Sequence, residues 1–195
     1  NKIMISGESA YNGISAAHIS TLEFPVIRNF ILLASVRSYP RNFNTFYGQG
    51  FGERSTTKNE VGFYTGIKWR TKIGIFNFYF DQFKFPFATS SIPLPSTGNE
   101  FLINYSTKPF RKTIITLRYK NENKEAAAIF NNEKTIYNKI TNNIRFDILY
   151  QATKFIRLRS RIELIYISKQ IINARENGLL IFQDLQWNLT KKFRL

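Results

Sequence analysis

His18 is the only histidine among 195 residues, and the chain has no cysteine. A site of several histidines or of thiolates is therefore excluded. Any serine or carboxylate triad would have to run through this one imidazole. His18 stands in Ala16-Ala17-His18-Ile19-Ser20, an ambiguous stretch of small residues with no evident partner, and reads as a neutral packed or interfacial histidine. A second feature with the look of chemistry is Tyr47-Gly48-Gln49-Gly50-Phe51-Gly52-Glu53-Arg54-Ser55, with glycine at alternate positions. It lacks the Gly-Lys-Ser/Thr ending of a phosphate loop, and no helix follows it; an ordered external loop using positive-φ glycines is expected instead. No catalytic, cofactor-binding or metal-binding residue is assigned, and the chain is read as a non-enzyme without a small-molecule cofactor.

The charged residues carry more information. In Arg157-Leu158-Arg159-Ser160-Arg161-Ile162-Glu163-Leu164 charge and hydrocarbon alternate with a period of two, which in a strand puts them on opposite faces. The same alternation elsewhere assigns Arg37, Glu60, Lys68, Asp81, Arg118, Lys120, Lys139, Arg145, Asp147, Arg157, Arg159, Arg161, Glu163 and Asp184 to one polar face. If strands with this pattern close around a lumen, these residues line it. Arg145 or Asp147 would then pair with residues near Arg159 and Arg161 on the neighbouring strand. Cations exceed anions in this set, which favours passage of anions and polyanions. Ladders of ion pairs that stiffen and plug the interior are the alternative.

The elements that position these residues read as about ten strands, at 2–8, 14–24, 29–39, 59–69, 73–84, 100–105, 112–120, 137–150, 155–166 and 178–188, with an eleventh starting near Lys192. The facing of the second is open, because its residues do not alternate cleanly. Short connections (25–28, 70–72, 106–111, 151–154, 189–191) alternate with long polar ones (40–58, 86–99, 121–136, 168–177). The segment 121–136 could hold a short helical turn, and the proline-rich 86–99 is either a rigid surface loop or a constriction. Large aromatics precede the short turns: Phe24, Trp69, Tyr105, Tyr150 and Trp187. They stand where an interfacial girdle would lie. Arg28, Arg70, Lys72, Lys108, Arg111, Lys154, Lys191 and Lys192 cluster at those same turns, where anionic headgroups would attract them.

No apolar run approaches the roughly 18–20 residues of a membrane helix, while 43% of residues are hydrophobic, 19 of them phenylalanine and 10 tyrosine. The fold class expected is all-β, an antiparallel up-and-down transmembrane β-barrel, with residues 1–195 forming a single barrel domain or fragment. The first residues show no basic-then-apolar leader and the last read as the start of another strand, so a fragment cut at both ends is expected. Much of the +15 net charge is accounted for by turns and the polar face.

The motifs Phe46-Tyr47-Gly48, Phe51 to Ser55, Asn59-Glu60, Asp81 to Pro86, Pro95 to Phe101, Leu158 to Glu163 and Phe182 to Leu185 resemble, in order and spacing, the barrel portion of helix-hairpin-helix-containing outer-membrane proteins of the Bacteroidetes and Chlorobi group. That resemblance implies a bacterial outer-membrane location. Members generally carry a DNA-backbone-binding helical module ahead of the barrel. None is visible here, so a DNA-related role is implied by the resemblance alone. The expected function is a porin-like pore or conduit for anions or polyanions such as DNA, with the lipid bilayer as the surrounding partner. The alternatives are a structural or surface-binding barrel whose long loops 40–58 and 86–99 engage a partner, and a soluble basic β-sheet domain that binds nucleic acid.

Overall fold

Ten antiparallel strands run in chain order as one up-and-down sheet: β1 (Met4–Tyr11), β2 (Ala16–Ile27), β3 (Phe30–Tyr39), β4 (Glu60–Arg70), β5 (Ile75–Phe85), β6 (Ser96–Phe110), β7 (Thr113–Phe130), β8 (Glu133–Gln151), β9 (Ile156–Lys169) and β10 (Ala174–Trp187). The structure is a computed structural model that describes residues 2–45, 48–130, 132–170 and 174–188. No helix occurs among the described residues. The sheet is open, with β1 paired only to β2 and β10 only to β9.

The register slants the sheet. Residues opposite one another run Leu33, Gly66, Tyr79, Leu102, Lys120, Asn143, Ile165 across β3 to β9. Leu33 lies three residues from the end of β3 at Phe30, and Ile165 lies nine from the same-side end of β9 at Ile156. Six residues of climb over six strand steps is about 20 Å over about 29 Å, a tilt of about 35°. Barrel walls have this tilt.

Strands β3 to β5 match the expected lengths to within one residue, β6 to β10 are longer than expected, and two of the expected long connections are largely strand. Residues 121–136 form neither loop nor helical turn: β7 and β8 stay paired to Phe130 and Glu133, with Asn132 at φ 63° in the turn. Most of 168–177 likewise belongs to β9 and β10, and β6 extends at both ends beyond 100–105. Polar residues misled there because they pair across strands instead of facing water. Pro25, placed in a turn, is inside β2 beside a register shift. The 189–191 turn, Lys191, Lys192 and the eleventh strand lie outside the described residues, as do Phe46 and Tyr47.

Two long connections remain. Residues 40–59 and 86–95 are joined by Asn59, whose Nδ2 donates to the Phe87 carbonyl (2.7 Å) and whose Oδ1 accepts from the Phe87 N–H (3.0 Å). Asn59 does this with a left-handed backbone, φ 54°, which asparagine tolerates better than most residues.

Candidate functional site: a charged face and an apolar face

Register alone sorts the side chains. Arg37, Glu60, Lys68, Asp81, Arg118, Lys120, Lys139, Arg145, Asp147, Arg157, Arg159, Arg161, Glu163 and Asp184 all occur on one face of the sheet. The other face carries Leu22, Phe24, Val36, Val61, Phe63, Trp69, Phe78, Ile103, Leu117, Ile144, Phe146, Tyr150, Ile162, Leu179 and Trp187, all of them exposed. A water-soluble sheet would cover such a surface.

The tightest cluster lies near the loop end of β3 to β5. Arg37 Nε donates to Glu60 Oε1 (2.6 Å), and its two terminal nitrogens hold Asp81 as a fork (2.9 and 3.0 Å). Arg37, Glu60 and Asp81 are 3, 1 and 2% exposed, so the three charges depend on one another. Arg37 reaches Asp81 across β4 because Gly62 stands between them: a Cβ there would lie 2.3 Å from Arg37 Cζ. Gly62→Ala is therefore expected to displace the guanidinium and cost about 3 kcal/mol, the upper range for overpacking, measured as a lower urea midpoint of the folded protein in micelles.

The glycine-alternating loop folds onto this cluster. Phe51 packs edge-on to Tyr64 (5.4 Å) and lies under the Arg37 guanidinium (5.1 Å). Tyr39 donates its hydroxyl to the Phe51 carbonyl (2.8 Å), and the Glu53 N–H donates to Glu60 (3.1 Å). The expectation of positive-φ glycines is corrected: Gly48, Gly50 and Gly52 are not left-handed. Gly52 is needed for close approach, since a Cβ there would meet both Glu60 carboxylate oxygens at 3.0 Å. The loop thus caps the charged face rather than reaching outward.

From that cap a chain of pairs runs across β5 to β7. Tyr79 donates to Glu100 (2.6 Å), Glu100 pairs with Lys120 (2.9 Å), Glu122 with both Lys120 (3.3 Å) and Lys124 (3.1 Å), and Lys124 returns to Glu53 (2.7 Å). Tyr39, Phe51, Glu53, Tyr64, Tyr79, Glu122 and Lys124 were not among the sequence candidates, because nothing local in the sequence shows the loop turning inward. Burial pushes the Glu53 carboxyl up, more strongly than the Lys124 ammonium pulls it down. A raised folded value means that its contribution to docking is fully present below the ordinary carboxylate range and is lost as pH rises through that value. A nitroxide at the exposed Ser55 is accordingly expected to become more mobile as pH rises above the ordinary carboxylate range, and to lose that dependence in Glu53→Gln.

On β8 and β9, Arg145 Nε donates to Glu163 (2.6 Å), while Asp147 accepts from both Arg159 (3.2 Å) and Arg161 (2.8 Å). Asp184 stands opposite Arg159, and Lys139 lies between the like-charged Lys124 and Lys169. Lys169 is bonded to Glu176. Lys68 and Arg157 are exposed, and no ion pair forms at Lys68, Arg118, Lys139 or Arg157 among the described residues.

On the apolar face the aromatics form a row. Phe30 meets Trp69 (6.5 Å), Trp69 meets Phe76 (5.8 Å), and Phe76 stacks on Tyr105 (4.5 Å). Phe30 and Phe76, just past the turns, escaped notice because only register reveals them as the cross-strand partners of Trp69 and Tyr105. Phe24, Tyr150 and Trp187 stand near the same ends of β2, β8 and β10. At a tilt of about 35°, the apolar stretches 30–36 and 144–150 rise about 17 Å and 156–166 about 28 Å, which brackets the band of about 25 Å on a membrane barrel. Its polar interruptions satisfy each other: Ser160 donates to Gln183 opposite it (2.7 Å). The loop side of the band ends at Gln82, Asn99 and Asn123, aligned across three strands.

His18 lies on the apolar face, which settles the facing of β2, and it has a partner the sequence did not reveal: Ser9 Oγ is 2.8 Å from Nδ1. Among the described residues no third group orients the ring through its other nitrogen, which a triad would require. No cluster of metal-ligating side chains occurs among the described residues. Comparison with protein-family models, with curated proteins and with solved structures finds no match to the chain.

Proposed function

We propose that this chain forms the wall of a bacterial outer-membrane β-barrel, with its apolar face toward lipid and its charged face toward the interior, and that the barrel is a conduit favouring anions. The observation that carries the reading is the segregation itself. An exposed hydrocarbon band with an aromatic row on one side backs a face of buried and half-buried ion pairs on the other. Charges inside a membrane span are retained where they face a polar interior and pair with one another. Arg28, Arg70, Lys72, Lys108, Arg111 and Lys154 would meet headgroups at the aromatic end. Because most interior charges are paired, small anions suit the interior better than a DNA strand. Of the motifs behind the resemblance to the helix-hairpin-helix-associated barrels, Phe51 to Ser55, Asn59-Glu60 and Asp81 to Pro86 include residues that contact the Arg37 cluster, whereas Leu158 to Glu163 and Phe182 to Leu185 lie on β9 and β10, and kinship with that group is part of this proposal.

The full-length protein in planar bilayers is expected to conduct with anion selectivity. Cation selectivity or absent conductance would contradict the conduit.

A second reading, a barrel that binds an external partner, is favoured by one observation: the β7–β8 hairpin runs about nine residues past Asn121, or about 30 Å. Shortening that hairpin would abolish partner binding while leaving the barrel folded. A soluble nucleic-acid-binding sheet fits less well, since its cations would have to be free for phosphates.

A further inference from the structure

Arg118 differs from Lys68, Lys139 and Arg157 on the charged face, which likewise form no ion pair among the described residues, in holding a buried nitrogen that has no hydrogen-bond partner. Arg118 on β7 stands directly opposite Arg145 on β8. The nearby carboxylate is already engaged: Glu163 Oε2 accepts from Arg145 Nε (2.6 Å) and Oε1 from Asn143 Nδ2 (2.5 Å). Arg118 Nε is buried without a hydrogen-bond partner, and so is Asn143 Oδ1. The Asn143 amide is oriented by its bond to the carboxylate, because only its nitrogen can donate there. A carbonyl oxygen therefore remains as a buried acceptor without a donor, on the residue two before Arg145 on the same face of β8.

Two adjacent guanidinium groups repel each other, and a buried donor left unmade costs free energy. An anion between them removes both penalties through charge-assisted bonds. The nearby acceptor narrows the class, since it suits an oxyanion that still carries a proton. We propose that Arg118 and Arg145, with Asn143, form a binding site for hydrogen phosphate on the charged face. The site rests on the conduit reading in that the anion reaches it through the interior, and it names the anion class which that interior would favour.

The test uses the full-length protein folded in detergent, with thermal unfolding followed in phosphate against chloride at matched ionic strength. Phosphate is expected to raise the Tm of the parent. Arg118→Gln should shift the phosphate dependence about tenfold or more to higher concentration, the loss expected for one charge-assisted bond. Arg118→Lys, which keeps the charge, guards against a folding defect and should retain part of the response. Arg70→Gln, at a distant turn, should respond like the parent. Glycerol phosphate, which is largely the proton-free dianion at neutral pH, and sulfate and oligothymidylate, which carry no such proton, should act more weakly than inorganic phosphate. A Tm unmoved by phosphate in the parent, or an equal response in Arg118→Gln, would overturn the site. Equal potency of sulfate or oligothymidylate would overturn the assignment to protonated phosphate. Conductance of the same sample separates the two proposals: anion-selective current without a phosphate response removes the site alone, and a phosphate response without current removes the conduit alone.

Discussion

Arg37→Ala is expected to destabilise the folded protein by about 3–5 kcal/mol, the range for removing one partner from a buried charge cluster. The cost comes from what remains. Glu60 and Asp81, 1 and 2% exposed, would face each other without the guanidinium that bonds to both. The loop should loosen as well, since Phe51 lies under that guanidinium and Glu53 is anchored on Glu60. Replacing all three charges at once, with Arg37→Met, Glu60→Gln and Asp81→Asn, should recover most of the loss, because no ion is then left buried and unmatched. Urea unfolding in micelles measures both effects. Equal losses in the single and the triple variant would mean that shape, and not charge, governs this corner.

Ile103→Arg is the second large effect, and it concerns the opposite face. Ile103 is exposed on the apolar side, between Phe78 and Tyr119 in register. An arginine at mid-depth on the lipid face of a barrel costs about 2–4 kcal/mol, while substitutions toward the lumen mainly tune selectivity. Ile165→Arg, on the charged face beside Asn143 and Gly178, should cost much less. Unfolding from lipid vesicles is the measurement, and similar costs at the two positions would argue against a lipid-facing surface.

The period of two was legible in the sequence, and with it which residues share a face, because alternation needs nothing beyond the strand itself. Strand ends were less legible. Glu122, Lys124 and Glu125 look like loop residues, yet Glu122 and Lys124 are matched by Lys120 and Glu53, and Glu125 accepts from the Thr97 N–H and hydroxyl. Such cross-strand satisfaction is invisible until register is known. The alternating glycines of the 48–52 segment suggested backbone freedom, whereas Gly52 serves closeness to Glu60, a tertiary fact. Ser9 became the partner of His18 only through β1–β2 pairing. The Arg118–Arg145 opposition was hidden for the same reason: each reads singly as one more cation in an alternating strand, and only the register makes them neighbours.

The most direct test of the central claim, that the apolar face meets lipid, uses Trp69 and Trp187, the chain's two tryptophans, both exposed on that face. Their fluorescence is followed with the protein folded into vesicles, comparing the parent with Trp69→Phe and Trp187→Phe to isolate each contribution. Lipids brominated near the headgroup end of the chains are expected to quench both strongly, and aqueous acrylamide weakly, with bromine at the bilayer centre less effective. Strong acrylamide quenching with no response to brominated lipid would contradict the account.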